Sequence, residues 1–313
     1  MGGAAGRGRP VSPPRRTFPL VPRRHLVGTP FGASRSPRRG RGSDVAGTRP
    51  YLPGDPVSTI DWYASARLSA ARASDEFVVH ELYREESPRV VIVADRRPAM
   101  ALYGAELPWL AKPEAATAAA EAIARSAVAA RCELGHADGA GGRTRVLSPG
   151  AVAPRYVLDR VRRAPFDAPP ASLDHALAEL TNRRAELPQG SFVFVLSDFL
   201  AEVTEVTWTR LRRALLDVVP VIVQDPLWEQ SFPAVSGVLI PFASVDGDEG
   251  SVRLTAGEAT SRREANEKRL ERLLARFRRL DFDPILLGTA EPAAVDAAFL
   301  RWAERRRRRR RRR

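Results

Sequence analysis

One cysteine stands among the 313 residues, Cys132, so no disulfide can form within the chain. That fits a reducing compartment. Histidine is nearly as scarce. His25, His80, His136 and His175 are scattered without metal-ligand spacing, which argues against a zinc site. No apolar run reaches the ~18 residues a membrane span needs, and the chain reads as cytoplasmic, with no span. The stretch "PPRRTFPLV" (13–21) faintly resembles a twin-arginine export signal, but Pro22, Arg23 and Arg24 cut off any apolar core behind it. Also missing are a Gly-x-Ser-x-Gly elbow, a Gly-Lys-Ser/Thr phosphate loop and a Gly-x-Gly-x-x-Gly after the first core strand. "GAGG" (139–142) reads as a turn between short strands. His136 and His175 could assist Asp198 in acid–base work, but a histidine beside a helix start is more often structural. The expectation is a protein without a catalytic constellation.

Lysine is rare as well, occurring only at Lys112 and Lys268, against a net charge of +13 carried by arginine. The charge is uneven. Residues 1–50 hold 11 arginines against Asp44, and 305–313 are nine consecutive arginines. The remaining 51–304 hold 30 basic and 36 acidic residues, a net of −6. Basic ends of this kind attract nucleic acid without base specificity. The simpler reading, and the preferred one, is a solubilising tail or drift in an arginine-heavy proteome.

The composition divides the chain. Residues 1–43, rich in Arg, Pro and Gly, are expected to be disordered. Residues 44–87 mix aromatics with turn signals and read as a hairpin-rich segment packed on the main domain. Residues 88–290 alternate strands ("RVVIVAD", "SFVFVLSD", "VVPVIVQD") with helices, one of them opened by Pro113 and another capped by Ser172. A C-terminal helix occupies 291–304, and the arginine run 305–313 is expected to lack stable structure. Continuous apolar strands alternating with helices predict a doubly wound, mainly parallel α/β sheet, with 88–95, 191–198 and 218–224 adjacent at its centre. The functional edge of such sheets lies at the strand carboxyl ends, and three strands here end in aspartate: Asp95, Asp198 and Asp225.

In the N-terminal segment, "RPYLPGDPVSTIDWYASAR" (49–67) carries Arg49, Tyr51, Pro53, Gly54, Asp55, Ile60, Asp61, Trp62, Ser65, Ala66 and Arg67. These residues resemble the signature of the domain of unknown function 58 family. Glu86, "LSDF" (196–199), and Asp225, Pro226 and Glu229 match its later positions. The likeness covers about 44–290, and it departs at Ser58 and Thr59, where the family carries basic residues. As a structural motif, Pro53-Gly54-Asp55-Pro56 is a turn, Trp62 a core anchor, and Asp61 or Arg67 a member of a buried ion pair. As a partner surface, Arg49, Tyr51, Gly54, Asp55, Asp61, Trp62 and Arg67 would face another protein.

The resemblance implies a von Willebrand factor A-like fold and a partnership with a MoxR-type AAA+ ATPase. Such folds often bind a divalent metal at the carboxyl edge through Asp-x-Ser-x-Ser, a threonine and a second aspartate. Here Asp95 and Asp198 match the aspartates, but Arg97 and Ala99 stand at the serine positions and Ser172 falls near the threonine. A hard cation wants several oxygen ligands, so a degenerate site without metal is expected, with magnesium conceivable only if the remnant still binds. Two arrangements follow: an arginine, Arg97 first and Arg96 second, bridges the two carboxylates, or both arginines face solvent.

Overall fold

The computed structural model describes residues 16–23, 35–39, 45–72, 76–85, 89–101, 110–183, 185–237, 239–243 and 249–311. The first elements are β1 (Arg35–Arg39), β2 (Val45–Pro50), α1 (Trp62–Arg72) and β3 (Val78–Glu85). Their strands make a small antiparallel sheet in the order β1-β3-β2. Next come β4 (Arg89–Ala94), α2 (Lys112–Ala129), β5 (Glu133–Asp138), β6 (Arg145–Leu147), α3 (Pro154–Arg163) and α4 (Ser172–Asn182). Then follow β7 (Phe192–Ser197), α5 (Glu205–Arg213) and β8 (Asp217–Val223). A hairpin of β9 (Leu239–Ala243) and β10 (Glu249–Arg253) leads to α6 (Ala256–Arg279), β11 (Ile285–Leu287) and α7 (Pro292–Arg311).

The main sheet has six strands in the order β11-β8-β7-β4-β5-β6, parallel throughout except for β6. Alternation along each strand explains why helices cover both faces. Val90, Ile92, Phe192, Phe194, Val219 and Val221 pack with the core residues of α2, α3 and α7. Their neighbours Val91, Val93, Val193, Val195, Val218 and Ile222 pack with those of α4, α5 and α6. This is the doubly wound architecture expected, with β4, β7 and β8 adjacent and parallel at the centre. From β4 the chain proceeds to β5 on one side, then returns to build β7, β8 and β11 on the other. The crevice at that reversal lies between the carboxyl ends of β4 and β7, where Asp95 and Asp198 stand.

Four expectations are corrected. The N-terminal segment does contribute to the core: Phe18, Leu20 and Val21 are buried, and Phe18 stacks on Phe299 at 4.7 Å between ring centroids. Apolar residues in an extended stretch need no element of their own when an alanine-rich helix leaves room. Here Ser126 of α2 accepts a hydrogen bond from the Phe18 amide at 3.0 Å. Residues 1–15, 24–34 and 40–44 lie outside the described residues. The arginine run is not unstructured either, since α7 continues to Arg311. The run holds its helix because Arg306 turns inward and is 4% exposed. The segment 44–87, expected to be hairpin-rich, also carries a helix, α1, that the turn signals did not indicate. Finally, Ser172 is the first residue of α4 and does not cap it; the capping position is Ala171.

Helix α6 shows how a local signal works without burial. Thr255 accepts a hydrogen bond from the Glu258 amide at 3.2 Å, and Glu258 accepts one from the Thr255 amide at 2.7 Å, a reciprocal capping box. Thr255→Ala is expected to cost about 1 kcal/mol, read as a shift in the urea midpoint with an unchanged slope.

Candidate functional site

Five charged side chains meet in the crevice. Arg97, 1% exposed, lies between the two strand-end aspartates. Its Nε donates to Asp95 Oδ1 and Oδ2 at 3.0 and 3.1 Å, and its Nη2 bonds both Asp95 Oδ2 and, at 3.0 Å, Asp198 Oδ1. Asp95 Oδ1 also accepts the Arg97 amide at 3.0 Å, and Ser197 Oγ donates to Asp95 Oδ2 at 2.7 Å. The other Asp198 oxygen belongs to Lys112, the first residue of α2. Its Nζ donates to Asp198 Oδ2 and to the Ala99 carbonyl, each at 3.0 Å, and to Glu229. Ala99 thus enters the site through its backbone. Ser172 makes no hydrogen bond to this cluster among the described residues; its β-carbon fills the space beside Gly139, where an added Cβ would stand 2.5 Å away.

The charges explain the titration. Burial alone would raise the Asp198 carboxyl and lower the Lys112 ammonium, but their mutual attraction, with Arg97 beside Asp198 and Glu229 beside Lys112, reverses both. Arg97 is likewise held above its ordinary range against burial by Asp95 and Asp198. Three carboxylates face two cations in direct contact, and Glu229 is shifted the opposite way from Asp198. Burial, joined by the like charge of Asp198, raises it despite Lys112. Around the cluster, Gln224 Nε2 donates to the Asp198 carbonyl at 2.6 Å. Asp225 accepts the Leu110, Leu227 and Trp228 amides at 2.7, 2.8 and 2.9 Å, organising the loop that carries Glu229.

Arg96 turns the other way. Its Nη2 donates to the Val161 carbonyl at the end of α3, its guanidinium lies 4.8 Å from the Phe166 ring centroid, and burial pushes it down to about 10. Farther along the edge, Asp138 binds Arg160 by two 2.7 Å hydrogen bonds and meets His136 Nε2 at 2.7 Å. His136 is fully buried, and burial lowers its pKa although Asp138 opposes this.

The signature segment divides into two parts. Arg49 and Asp55 form a bidentate pair, Nη1 to Oδ2 at 2.7 Å and Nη2 to Oδ1 at 2.6 Å, which closes the turn through Tyr51 and Gly54. Gly54 has φ +105°, a conformation that favours glycine. Asp61 accepts the Ala64 amide at 2.9 Å at the start of α1, and Ser65 accepts the Val78 amide at 2.9 Å, joining α1 to β3. These contacts hold the turn and the start of α1 in place. Trp62 is not the buried anchor expected: it is 61% exposed, and its ring meets Phe77 edge-on at 6.0 Å. As the first residue of a short helix whose one buried residue is Ser65, it projects away from the strand. Arg67 is exposed, not part of a buried pair.

A family model described as "Protein of unknown function DUF58" matches residues 47–272. The chain belongs to the DUF58 family. Among solved structures, this DUF58 chain is similar to the conserved hypothetical protein BatB from Bacteroides thetaiotaomicron, with 13% identity and a TM-score of 0.39. That match covers 70% of this chain and all of BatB. It is also similar to the pilus adhesin SpaC from Lactobacillus rhamnosus GG, with 11% identity and a TM-score of 0.33 over 73% of this chain and 32% of the adhesin. No curated protein matches.

Within the DUF58 span lie both the signature turn and the buried cluster. Asp95, Arg97, Ala99 and Asp198 are brought together. Lys112 was missed as a site residue, and its signal was its rarity. In a chain with two lysines among 50 basic residues, a lysine at a helix start marks a place for a compact ammonium with three donors, which a planar guanidinium cannot replace. Trp208 and Trp302 are buried and Trp228 packs against Phe232, while Trp109 lies outside the described residues.

Proposed function

We propose that this DUF58 chain is a non-enzymatic protein-interaction domain that engages a MoxR-type AAA+ ATPase through its signature segment. The observation that carries this reading is the exposure of Leu52, Val57, Trp62, Tyr63 and Phe77 within one short segment, from 44% to 84%. Grouped exposed aromatics mark interaction sites, and Trp, Tyr and Arg dominate binding energy at interfaces. Helix α1 adds the exposed Arg67 and Arg72 and no acidic residue.

The carboxyl edge in this reading is a fixed, metal-independent element. Its donor set does not fit a divalent cation: Asp95 and Asp198 are satisfied by Arg97 and Lys112, and the serine positions are Arg97 and Ala99. Magnesium would have to displace two buried cations. Titration calorimetry with magnesium is expected to give no binding heat; micromolar binding would overturn this part of the reading. No helix of the described residues is long and apolar enough to cross a membrane, and a reducing, cytoplasmic setting suits the single cysteine.

The partner test uses the full chain and a purified MoxR-type ATPase from the same organism. Trp62→Ala and Tyr63→Ala are each expected to weaken binding at least 10-fold while changing stability by less than about 1 kcal/mol. Unchanged affinity in both variants would remove the signature segment from the interface. A second reading rests on α7, where Arg305 and Arg307 to Arg311 are exposed along one helix. It predicts sequence-independent nucleic-acid binding that falls steeply with salt.

A further inference from the structure

Beside the buried cluster, α6 and the chain following β7 enclose a groove of about 700 Å³, within the range of ligand sites. Its floor is apolar: Phe199, Val203, Trp208, Leu273 and Phe277 line it. Its rim is basic. Arg269, Arg272, Arg276 and Arg279 line it too, and spacings of three, four and three residues set all four on one face of α6.

The four arginines are not equivalent. Arg269 is tied to the Glu229 carbonyl at 2.6 Å, and Arg276 to the Val203 carbonyl at 2.9 Å and to Glu205 at 2.8 Å. These two brace the walls. Arg272 and Arg279 are exposed; Arg272 Nε donates to the Lys268 carbonyl of its own helix at 3.2 Å, and neither arginine forms an ion pair among the described residues. Seven residues of helix separate them by about 10 Å along the axis. The groove therefore offers two available guanidinium groups flanking an aromatic floor.

A second feature ties this groove to the site. Phe199, directly after Asp198, has φ +53°, a conformation rarely adopted by a residue with a side chain. Such backbone persists only where its surroundings impose it and clusters at functional sites. Here the Phe199 amide donates to Ser197 Oγ at 2.9 Å, the same hydroxyl that binds Asp95. Its ring packs on Phe277 at 5.2 Å and on Trp208 at 6.3 Å. One strained residue thus joins the ion cluster to the groove floor.

We infer that this groove docks an acidic segment of a partner protein, with carboxylates about 10 Å apart meeting Arg272 and Arg279 and an apolar side chain between them on the Phe199 and Trp208 floor. A peptide fits better than a nucleic acid. Glu202 on the opposite wall would repel a continuous phosphate backbone, while Glu205 is already held by Arg276, and this leaves room for carboxylates confined to the α6 side. The inference stands apart from the signature segment, because the groove uses none of its residues.

The test is fluorescence anisotropy with the full chain and a labelled 12-residue peptide carrying two Asp-Glu pairs on either side of Leu-Phe. The control peptide has lysine at every acidic position. The acidic peptide is expected to bind and the lysine peptide not to. Arg272→Glu with Arg279→Glu should weaken binding at least 10-fold, and the milder Arg272→Ala with Arg279→Ala several-fold. Arg213→Glu, on α5 outside the groove, should leave it unchanged. Equal binding by the doubly reversed variant, no binding by the wild type, or displacement of the peptide by a short oligothymidylate at lower concentration than by unlabelled peptide would each overturn the inference. No ATPase enters the assay, so its failure leaves the signature-segment reading untouched.

Discussion

Lys112→Met is expected to destabilise the protein by about 3–5 kcal/mol, because removing one partner of a buried ion pair leaves the others uncompensated. Methionine keeps much of the length and fills the space, so the loss reports charge more than volume. Asp198 and Glu229 then face each other with Arg97 alone against three carboxylates. The pH dependence follows from the directions of the shifts. In the wild type, Asp198 is held below its ordinary value, so its contribution is present above the unfolded carboxylate pKa and lost as pH falls through the folded one. Lys112 is held above its ordinary value, so its contribution is present below the unfolded lysine pKa and lost as pH rises through the folded one. Between these limits the cluster is fully charged on both members. In the variant, Glu229, already raised by burial, takes up a proton more readily, and protonation relieves the repulsion. The deficit should therefore be larger at pH 8 than at pH 5 in urea denaturation. Adding Asp198→Asn to Lys112→Met should recover part of it. Lys112→Arg should not restore the wild-type value, since a planar fork cannot reach Asp198, Glu229 and the Ala99 carbonyl together. A deficit below about 1 kcal/mol, or one independent of pH, would show that the cluster is not a coupled ionic unit.

Arg306→Ala should cost a similar ~3–5 kcal/mol, although it lies within an unbroken run of arginines. Arg306 donates to both Asp217 oxygens at 2.9 Å, to Asp283 at 3.1 Å and to the Val21 carbonyl at 3.0 Å, and it covers the Trp302 ring at 4.4 Å. Removing it takes away the cation facing Asp217, itself 8% exposed, at the start of β8, and leaves that carboxylate the Arg23 amide at 2.9 Å. Arg307→Ala, one residue along and exposed, should change stability by no more than about 0.5 kcal/mol. Thermal unfolding of the two variants side by side gives the answer. Equal effects would mean that Arg306 is one more solvated arginine.

The strands and their order of burial could be read from the sequence because their information is local and repetitive. Val90 to Ala94, Phe192 to Leu196 and Val218 to Val223 are apolar on both parities, and only a sheet covered on both faces satisfies that. The aspartates ending two of them, Asp95 and Asp198, followed from the same pattern. A bridge between them by Arg97 was one of two arrangements that pattern left open, and the fold chose it by burying the loop. Glu229 and Lys112 could not be placed in this way, because they reach the cluster from a loop and from a helix start distant in sequence.

Trp62 and Arg306 show the opposite kind of error. Composition treats a tryptophan as core and an arginine run as solvated, and each assignment reversed once the helix carrying it was placed. Burial of a single side chain depends on which face of its element meets a neighbour. For α1 that face holds Ser65, and for α7 it holds Phe299, Trp302 and Arg306. What the sequence by itself determined, then, is the doubly wound sheet and the carboxylates at its edge, because strand periodicity and terminal aspartates are encoded in consecutive residues. The tertiary structure decided which cations enter that edge and which aromatics stay outside, because both depend on contacts between residues as far apart as Arg97 and Asp198, or Arg306 and Asp217.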